Sequence, residues 1–354
     1  LSRHVLLRND GGEIVAESGL SHHRIVLHDA RVVSLCAALA RPCTGRVAAE
    51  MLGASSDDIA IAVLACLRQA EIIRPATAAG DAVGREVDPA PQWEVHDLYF
   101  HARSRRGRHA NPYGGTYRFL GAIEPLPALK PPMSANAVPL DPPDLERIER
   151  ADPPFTAVLE RRRSIRQQGE TPLTRAQLSE FLFRAARQRR LIPTDHGELS
   201  DRPYPGGGAL YELEIYPVVE RCHGLDSGLY QYRPGHHELC PVAPLGQDVV
   251  KLLDEAWLTL GRESRPQVLL IVAARFGRAS WKYESMAYAL VLKDVGVLLQ
   301  TFYLVATAMG LAPCALGGGD SDLFARASGL DWLVEGAVGE FVLGSRRDAE
   351  KGAA

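Results

Sequence analysis

The chain has 354 residues, 46% hydrophobic and 23% charged, a composition that excludes a disordered or fibrous protein and leaves room for a large core plus a smaller companion unit. A formal net charge of -3 and a pI near 6.4 give no general attraction for phosphate backbones, so nucleic acid is not expected as a partner. No apolar run approaches a membrane span and residues 1–10 lack an export-signal pattern. Six scattered cysteines without a C-x-x-C pair suit free thiols in a reducing cytoplasm, with no metal site.

Residues 1–90 read as a separate unit. A hairpin is expected from the apolar stretches at 5–7 and 14–16 around Asn9-Asp10-Gly11-Gly12. Two helices follow, one through 47–52 and one starting at a Ser55/Ser56 cap, with Asp57 and Asp58 in its first turn and Ile59, Val63, Leu64 and Leu67 on one face. Ile72-Ile73 then suggests a returning strand. Short strands around a helix-turn-helix give a winged-helix-like unit. Its nine Arg and no Lys against eleven Asp plus Glu argue against DNA reading. Such a unit can hold a leader peptide as an added strand at a sheet edge, and it can equally be a structural wing.

Residues 91–154 form a Pro-rich connector, because Pro89, Pro91, Pro125, Pro127, Pro131, Pro132, Pro142, Pro143, Pro153 and Pro154 preclude long helices and central strands. The aromatic segment at 93–101 must nevertheless pack, and it is expected to wrap the main domain. That domain, residues 155–354, is α+β: a short helix at 155–160, strands at 213–219, 229–232, 268–274 and 340–343, and a helix from about 285 to 310. The last would be about 37 Å long and central. Gly296 in its middle suggests a backbone or ligand approaching closely.

Three clusters carry chemistry. Arg161-Arg162-Arg163-Ser164-Ile165-Arg166 concentrates guanidinium forks and a hydroxyl, which suits a phosphate, although arginine runs are also ordinary solvated faces. Pro205-Gly206-Gly207-Gly208 and Gly317-Gly318-Gly319 let backbone approach a flat ligand, or are simply turns. Neither glycine run is G-x-G-x-x-G or a P-loop.

Taken in order, the residues at 161–166, PYPGGGALYELEIYPVV at 203–219, GLDSGLYQYRPGHHEL at 224–239, the stretch at 281–320 and GEFVLG at 339–344 resemble the nitroreductase-like flavoproteins, specifically the SagB/McbC-type azoline dehydrogenases. WEVHDLYFHARSR at 93–105 resembles the segment preceding that domain in the same proteins. The resemblance implies a mixed sheet flanked by helices and FMN bound at a homodimer interface. Arg162, Arg163, Ser164, Arg166, Arg346 and Arg347 would lie towards the phosphate and ribityl chain, and Pro205, Gly206, Gly207, Gly208, Gly317, Gly318 and Gly319 beside the isoalloxazine. The family's catalytic Lys-Tyr pair matches Lys282-Tyr283.

The implied function is oxidation of thiazolines or oxazolines to azoles in a ribosomally made precursor peptide, after a partner cyclodehydratase has closed the rings. Hydride would pass to the flavin and a proton to Lys282 or Tyr283. Both groups ordinarily titrate near or above 10, so a helix N-terminus, a second cation or desolvation is expected at the pair. One departure is that Ser285, Met286, Ala287, Tyr288 and Ala289 stand where many members carry arginines. Rival readings are an NAD(P)H-dependent reductase of nitroaromatics or quinones and a non-catalytic leader-docking scaffold. The Lys282-Tyr283 pair and the long N-terminal region count against the first, and the intact arginine cluster against the second.

Overall fold

The computed structural model describes residues 1–54, 56–76 and 89–347. The chain forms two compact units, Leu1–Gly114 and Gly115–Ala354. In the first, β1 (Val5–Asp10), β2 (Glu13–Ser18) and β3 (Arg24–Leu27) make an antiparallel sheet, and the expected hairpin turns at Gly11 and Gly12, both with positive φ. Helices α1 (Ala30–Ala38), α2 (Gly45–Leu52) and α3 (Asp57–Gln69) follow. Ser56 caps α3 by accepting from Ile59 N, while Ser55 lies outside the described residues.

Two expectations fail in this unit. Ile59 is half exposed and α3 turns Ala60 and Leu67 inward instead. Ile72 is fully buried but not in a strand: its N–H returns to Leu67 O, closing the end of the helix. The unit also runs past residue 90 and includes α4 (Val95–Arg103), which packs on β2. Buried Glu17 accepts from Tyr99 Oη at 2.9 Å, from Arg8 and from Arg103, and Gly19 leaves room for Leu98. Burial raises the Glu17 carboxyl, but hydrogen bonds from Tyr99 and Arg8 outweigh it and hold the carboxyl below its ordinary value.

The second unit contains β4 (Val138–Pro139), α5 (Leu145–Ala151), α6 (Phe155–Arg161), α7 (Arg175–Ala186), β5 (Arg190–Thr194), β6 (Gly197–Asp201), β7 (Leu213–Val219), β8 (Gly228–Arg233), β9 (Glu238–Pro244), α8 (Gln247–Thr259), β10 (Val268–Arg275), α9 (Phe276–Lys282), α10 (Ala287–Ala308), β11 (Leu311–Leu316), α11 (Ser321–Ser328) and β12 (Glu335–Ser345). Its main sheet has the order β11-β12-β10-β7-β8-β9-β4. Every neighbouring pair in it is antiparallel, where a mixed sheet was expected; outside it, Leu173-Thr174 pairs in parallel with Cys222-His223.

Strand period and burial explain the layers. Along β10, Val268, Leu270, Val272 and Ala274 face α7 and α10, while Leu269, Ile271 and Ala273 face α8 and α11. Both faces are covered, so the strand reads as an unbroken apolar run. Helix α10 lays Val291, Val295, Leu298, Phe302 and Ala306 on the sheet, with Phe302 5.2 Å from both Phe181 and Phe341. By length and composition α10 could cross a membrane, contrary to the sequence expectation; here its apolar stripe forms the core. An added Cβ at Gly296 would meet nothing within 4 Å, so within the chain no close approach explains that glycine.

The stretch after Gly115 lies against the catalytic unit's helices and strands. Trp281 Nε1 donates to Ile123 O, Arg278 to Leu126 O and Arg275 to Pro127 O, while Lys130 Nζ reaches both Glu335 and Tyr216 at 2.6 Å. Replacing Phe302 by Ala should cost about 3–5 kcal/mol through the cavity left between α10 and the sheet, read as a lower denaturant midpoint with an unchanged slope.

Candidate active site

The loop between β6 and β7 carries Pro205, Gly206, Gly207 and Gly208, and the structure brings it against Lys282 and Tyr283. Gly208 has φ +61°, and a Cβ there would overlap the Tyr283 hydroxyl and lie 3.0 Å from Lys282 Nζ. At Gly206 a Cβ would stand 3.1 Å from the Tyr211 ring. Glycine is therefore required by contact as well as by conformation. Four of the seven non-glycine residues with positive φ among the described residues, Tyr117, Ala209, Tyr211 and Ser285, occupy the segments that meet here. Each left-handed residue costs of order 1–3 kcal/mol, so strain is concentrated at this place.

Of the three settings expected at Lys282-Tyr283, a helix N-terminus, a second cation or desolvation, the first is not found directly at the pair. Lys282 is the last residue of α9, Tyr283 is extended, and α10 starts only at Ala287. The Lys282 ammonium lies 5.8 Å from the Tyr117 ring centroid and 5.3 Å from that of Tyr283, and Tyr117 N–H donates to Lys282 O.

Beneath the glycine loop is a carboxyl pair that the sequence reading missed. Asp294 on α10 accepts from Gly207 N at 2.9 Å, and the Glu212 carboxyl lies beside it. Both are buried. Two touching carboxyls away from water cannot both ionise: burial, then the charge of Asp294, pushes Glu212 up to about 7. Burial raises Asp294 as well, and the pair thus holds a proton near neutrality on Glu212 while Asp294 clamps the loop. An available signal was the placing of Glu212 and Asp294 inside mainly apolar segments.

The arginine cluster follows α6. Ala315 N donates to Tyr303 Oη at 2.8 Å, Tyr303 pairs with Ser164 Oγ at 2.6 Å, and Ile165 N donates to Pro313 O. The Arg162 guanidinium lies 5.4 Å from the Tyr303 ring centroid, whereas Arg163, Ser164 and Arg166 are exposed. From the chain end, Arg347 donates to Gln167 Oε1 at 2.6 Å, and Arg346 runs past Gly169. Gly317-Gly318-Gly319 is an exposed turn after β11; only Gly319 is sterically required, by Glu340.

The two groups of residues stand on opposite flanks of α10. Asp294, under the glycine loop, and Tyr303, under Ser164, are nine residues apart, which is about 13 Å along the axis and about 180° around it. One chain therefore gathers the Lys-Tyr pair with the first glycine run, and the arginines with the β11 end, but does not join the two sets. The chemistry of the donors fits a flavin in two halves: exposed guanidinium and hydroxyl donors for a phosphate, and a Cβ-free surface beside a proton-handling pair.

Residues 159–344 match the nitroreductase family model, and residues 1–110 match that of the cyanobactin oxidase ThcOx. The chain belongs to the nitroreductase family and is an oxidoreductase, and the resemblance to its SagB/McbC-type members holds. A nitroreductase-family protein of Methanocaldococcus jannaschii is 33% identical over 178 residues, 49% of this chain and 81% of its own length. The microcin B17-processing protein McbC of Escherichia coli is 30% identical over 135 residues, 37% of this chain; the match spans 49% of McbC. Among solved structures, a nitroreductase of Anabaena variabilis has a TM-score of 0.48 at 25% identity, covering 69% of this chain and 45% of that one. The McbBCD microcin synthetase complex of E. coli with truncated pro-MccB17 has a TM-score of 0.44 at 22% identity, covering 70% and 86%.

The carboxyl pair gives a pH prediction. Because the folded-state value of Glu212 is raised from 4.5 to about 7, the folded chain keeps a proton that the unfolded chain has lost, and stability falls as pH rises through that window. Glu212→Gln removes this slope. Its melting temperature relative to the parent should rise by several degrees between pH 5 and pH 8; a constant difference would show that Glu212 carries no shifted proton.

Proposed function

We propose that the protein is an FMN-dependent dehydrogenase that oxidises thiazolines or oxazolines in a ribosomally made precursor peptide to thiazoles or oxazoles, downstream of a cyclodehydratase partner. The observation that carries this reading is the Gly206–Gly208 surface bracketed by Lys282 Nζ and Tyr283 Oη. The ThcOx match of the first 110 residues and the identity with McbC support a peptide rather than a small molecule as substrate.

Bound FMN supplies the hydride acceptor. Arg162, Arg163, Ser164, Arg166, Arg346 and Arg347 hold its phosphate end, and Pro205 to Gly208 with Gly317 to Gly319 border its ring. Lys282 or Tyr283 removes the carbon-bound proton of the heterocycle. Tyr117, stacked near the ammonium and bonded through its N–H to Lys282 O, fixes the base in place. Since one chain presents the two halves of this site on opposite flanks of α10, a second copy completes it. Exposed Phe155 and Leu159 on α6 and Tyr288 and Leu292 on α10 offer apolar surface for that homodimer. In the N-terminal unit, β1 and β3 each have a single neighbour among the described residues, and the peptide's leader adds there as a strand.

The purified protein should be yellow and dimeric. Lys282→Ala should lower peptide oxidation, followed as loss of two hydrogens by mass spectrometry, about 100-fold or more, with Tyr283→Phe following the same direction and flavin content unchanged in both. Full oxidation by both variants excludes these residues as the base. The relative in M. jannaschii favours a second reading, reduction of nitroaromatics by NAD(P)H; rapid turnover of those compounds with none of azolines would establish it instead.

A further inference from the structure

Beside Lys282 the catalytic unit encloses a cavity of about 150 Å³, walled by Tyr117, Leu126, His196, Leu199, Trp281 and Lys282 itself. Three of its polar side chains are already spent on backbone. The Arg278 guanidinium donates to the carbonyls of Leu126, Leu210 and Glu198, Glu198 Oε2 accepts from Ala128 N, and Thr194 Oγ1 donates to Gly197 O. What remains facing the space is mostly ring and aliphatic surface, with the His196 imidazole and the Tyr117 hydroxyl in the wall and one ammonium at its edge.

The walls are held rigidly. The Trp281 indole is fixed by its bond to Ile123 O at 2.6 Å, and the Tyr117 ring stands edge-on to it, with centroids 5.7 Å apart and planes at 85°. Tyr117 also meets His196 at 4.8 Å and keeps φ at +52°, a conformation a bulky residue adopts only where its surroundings impose it. An apolar cavity of roughly 150 Å³ is enough for a benzene ring. A five-membered ring with a methyl substituent is of similar size, whereas an extended peptide backbone would leave its amide groups without partners.

Building on the function proposed above, we propose that this cavity is the subsite for a single thiazoline or oxazoline ring of the peptide, so that selection is by ring size beside Lys282 rather than by flanking sequence. The adjacent ammonium then faces the ring edge. Leu199 and Leu126 set the width of the subsite from opposite chain segments, β6 and the strap after Gly115.

The test uses the full-length holoprotein and 4-methylthiazole as a ring probe, with intrinsic fluorescence, to which Trp281 contributes, as the binding readout. The parent should bind the probe saturably and in competition with a heterocyclised peptide. Leu199→Phe should weaken the probe and raise KM for the peptide at least about tenfold, with flavin content unchanged, and adding Leu126→Ala should recover most of both losses. Leu126→Ala alone should bind 4-isopropylthiazole several-fold more tightly than the parent, a readout that stands even where Leu199→Phe fails to fold. Unchanged KM in folded Leu199→Phe, or a probe insensitive to both substitutions, overturns the subsite. A parent that oxidises no azoline yet binds the probe in a Leu199-dependent way overturns the proposed function and leaves the subsite standing.

Discussion

The catalytic unit depends on one packing seam, where the stripe Val291–Val295–Leu298–Phe302–Ala306 of α10 lies across the main sheet. A sheet buried on both faces has no water-facing side to absorb a misfit, so the helix must sit in one position. Gly339 of β12 shows how close the fit is, since a Cβ there would stand 2.8 Å from Val295 Cγ1. Because the seam fixes the rotation of α10, it also fixes where its polar residues emerge. Asp294 is delivered to the glycine loop on one flank and Tyr303 to the arginine cluster on the other. Packing thus decides the chemistry offered on each side.

The cost of the site is carried by the same framework. Left-handed Tyr117, Ala209, Tyr211 and Ser285 would relax if the segments bearing them were free. They are held by bonds that leave little freedom: Tyr211 Oη to Tyr204 O, Arg202 to Leu213 O, Trp281 to Ile123 O and Tyr117 N to Lys282 O. The strap after Gly115 supplies several of these anchors, which gives an irregular, Pro-rich stretch a direct part in shaping the pocket.

Much of the fold was legible because its signals are local or periodic. The four predicted strands fall within β7, β8, β10 and β12, and the long helix is α10, each from an apolar pattern that matches its period. The elements that went unnoticed have weaker patterns: β11 reads as a loop because Pro313 sits inside it, and it is an edge strand, where proline is tolerated. The β5–β6 hairpin also contains a proline and is exposed along β5. At the site, the glycine run and Lys282-Tyr283 were recognisable as sequence strings, but Tyr117 was not, since its role depends on a backbone angle and on contacts far away in the chain. The Glu212–Asp294 pair joins residues 82 positions apart in number, and only the fold makes them neighbours.

The two flanks of α10 differ in how they treat charge. Around the arginine cluster, Arg163, Ser164 and Arg166 remain at the surface, so binding an anion there costs little desolvation of the protein. Around the glycine loop charge is consumed internally: Arg278 is spent on three carbonyls, Glu214 on Arg275, and Glu212 keeps a proton against Asp294. The glycine loop is thus backed by groups already committed to one another, with Lys282 and Tyr283 set against Gly208. Under the function proposed above, a proton taken at that flank would go to Lys282 or Tyr283, because the neighbouring Glu212 already holds one.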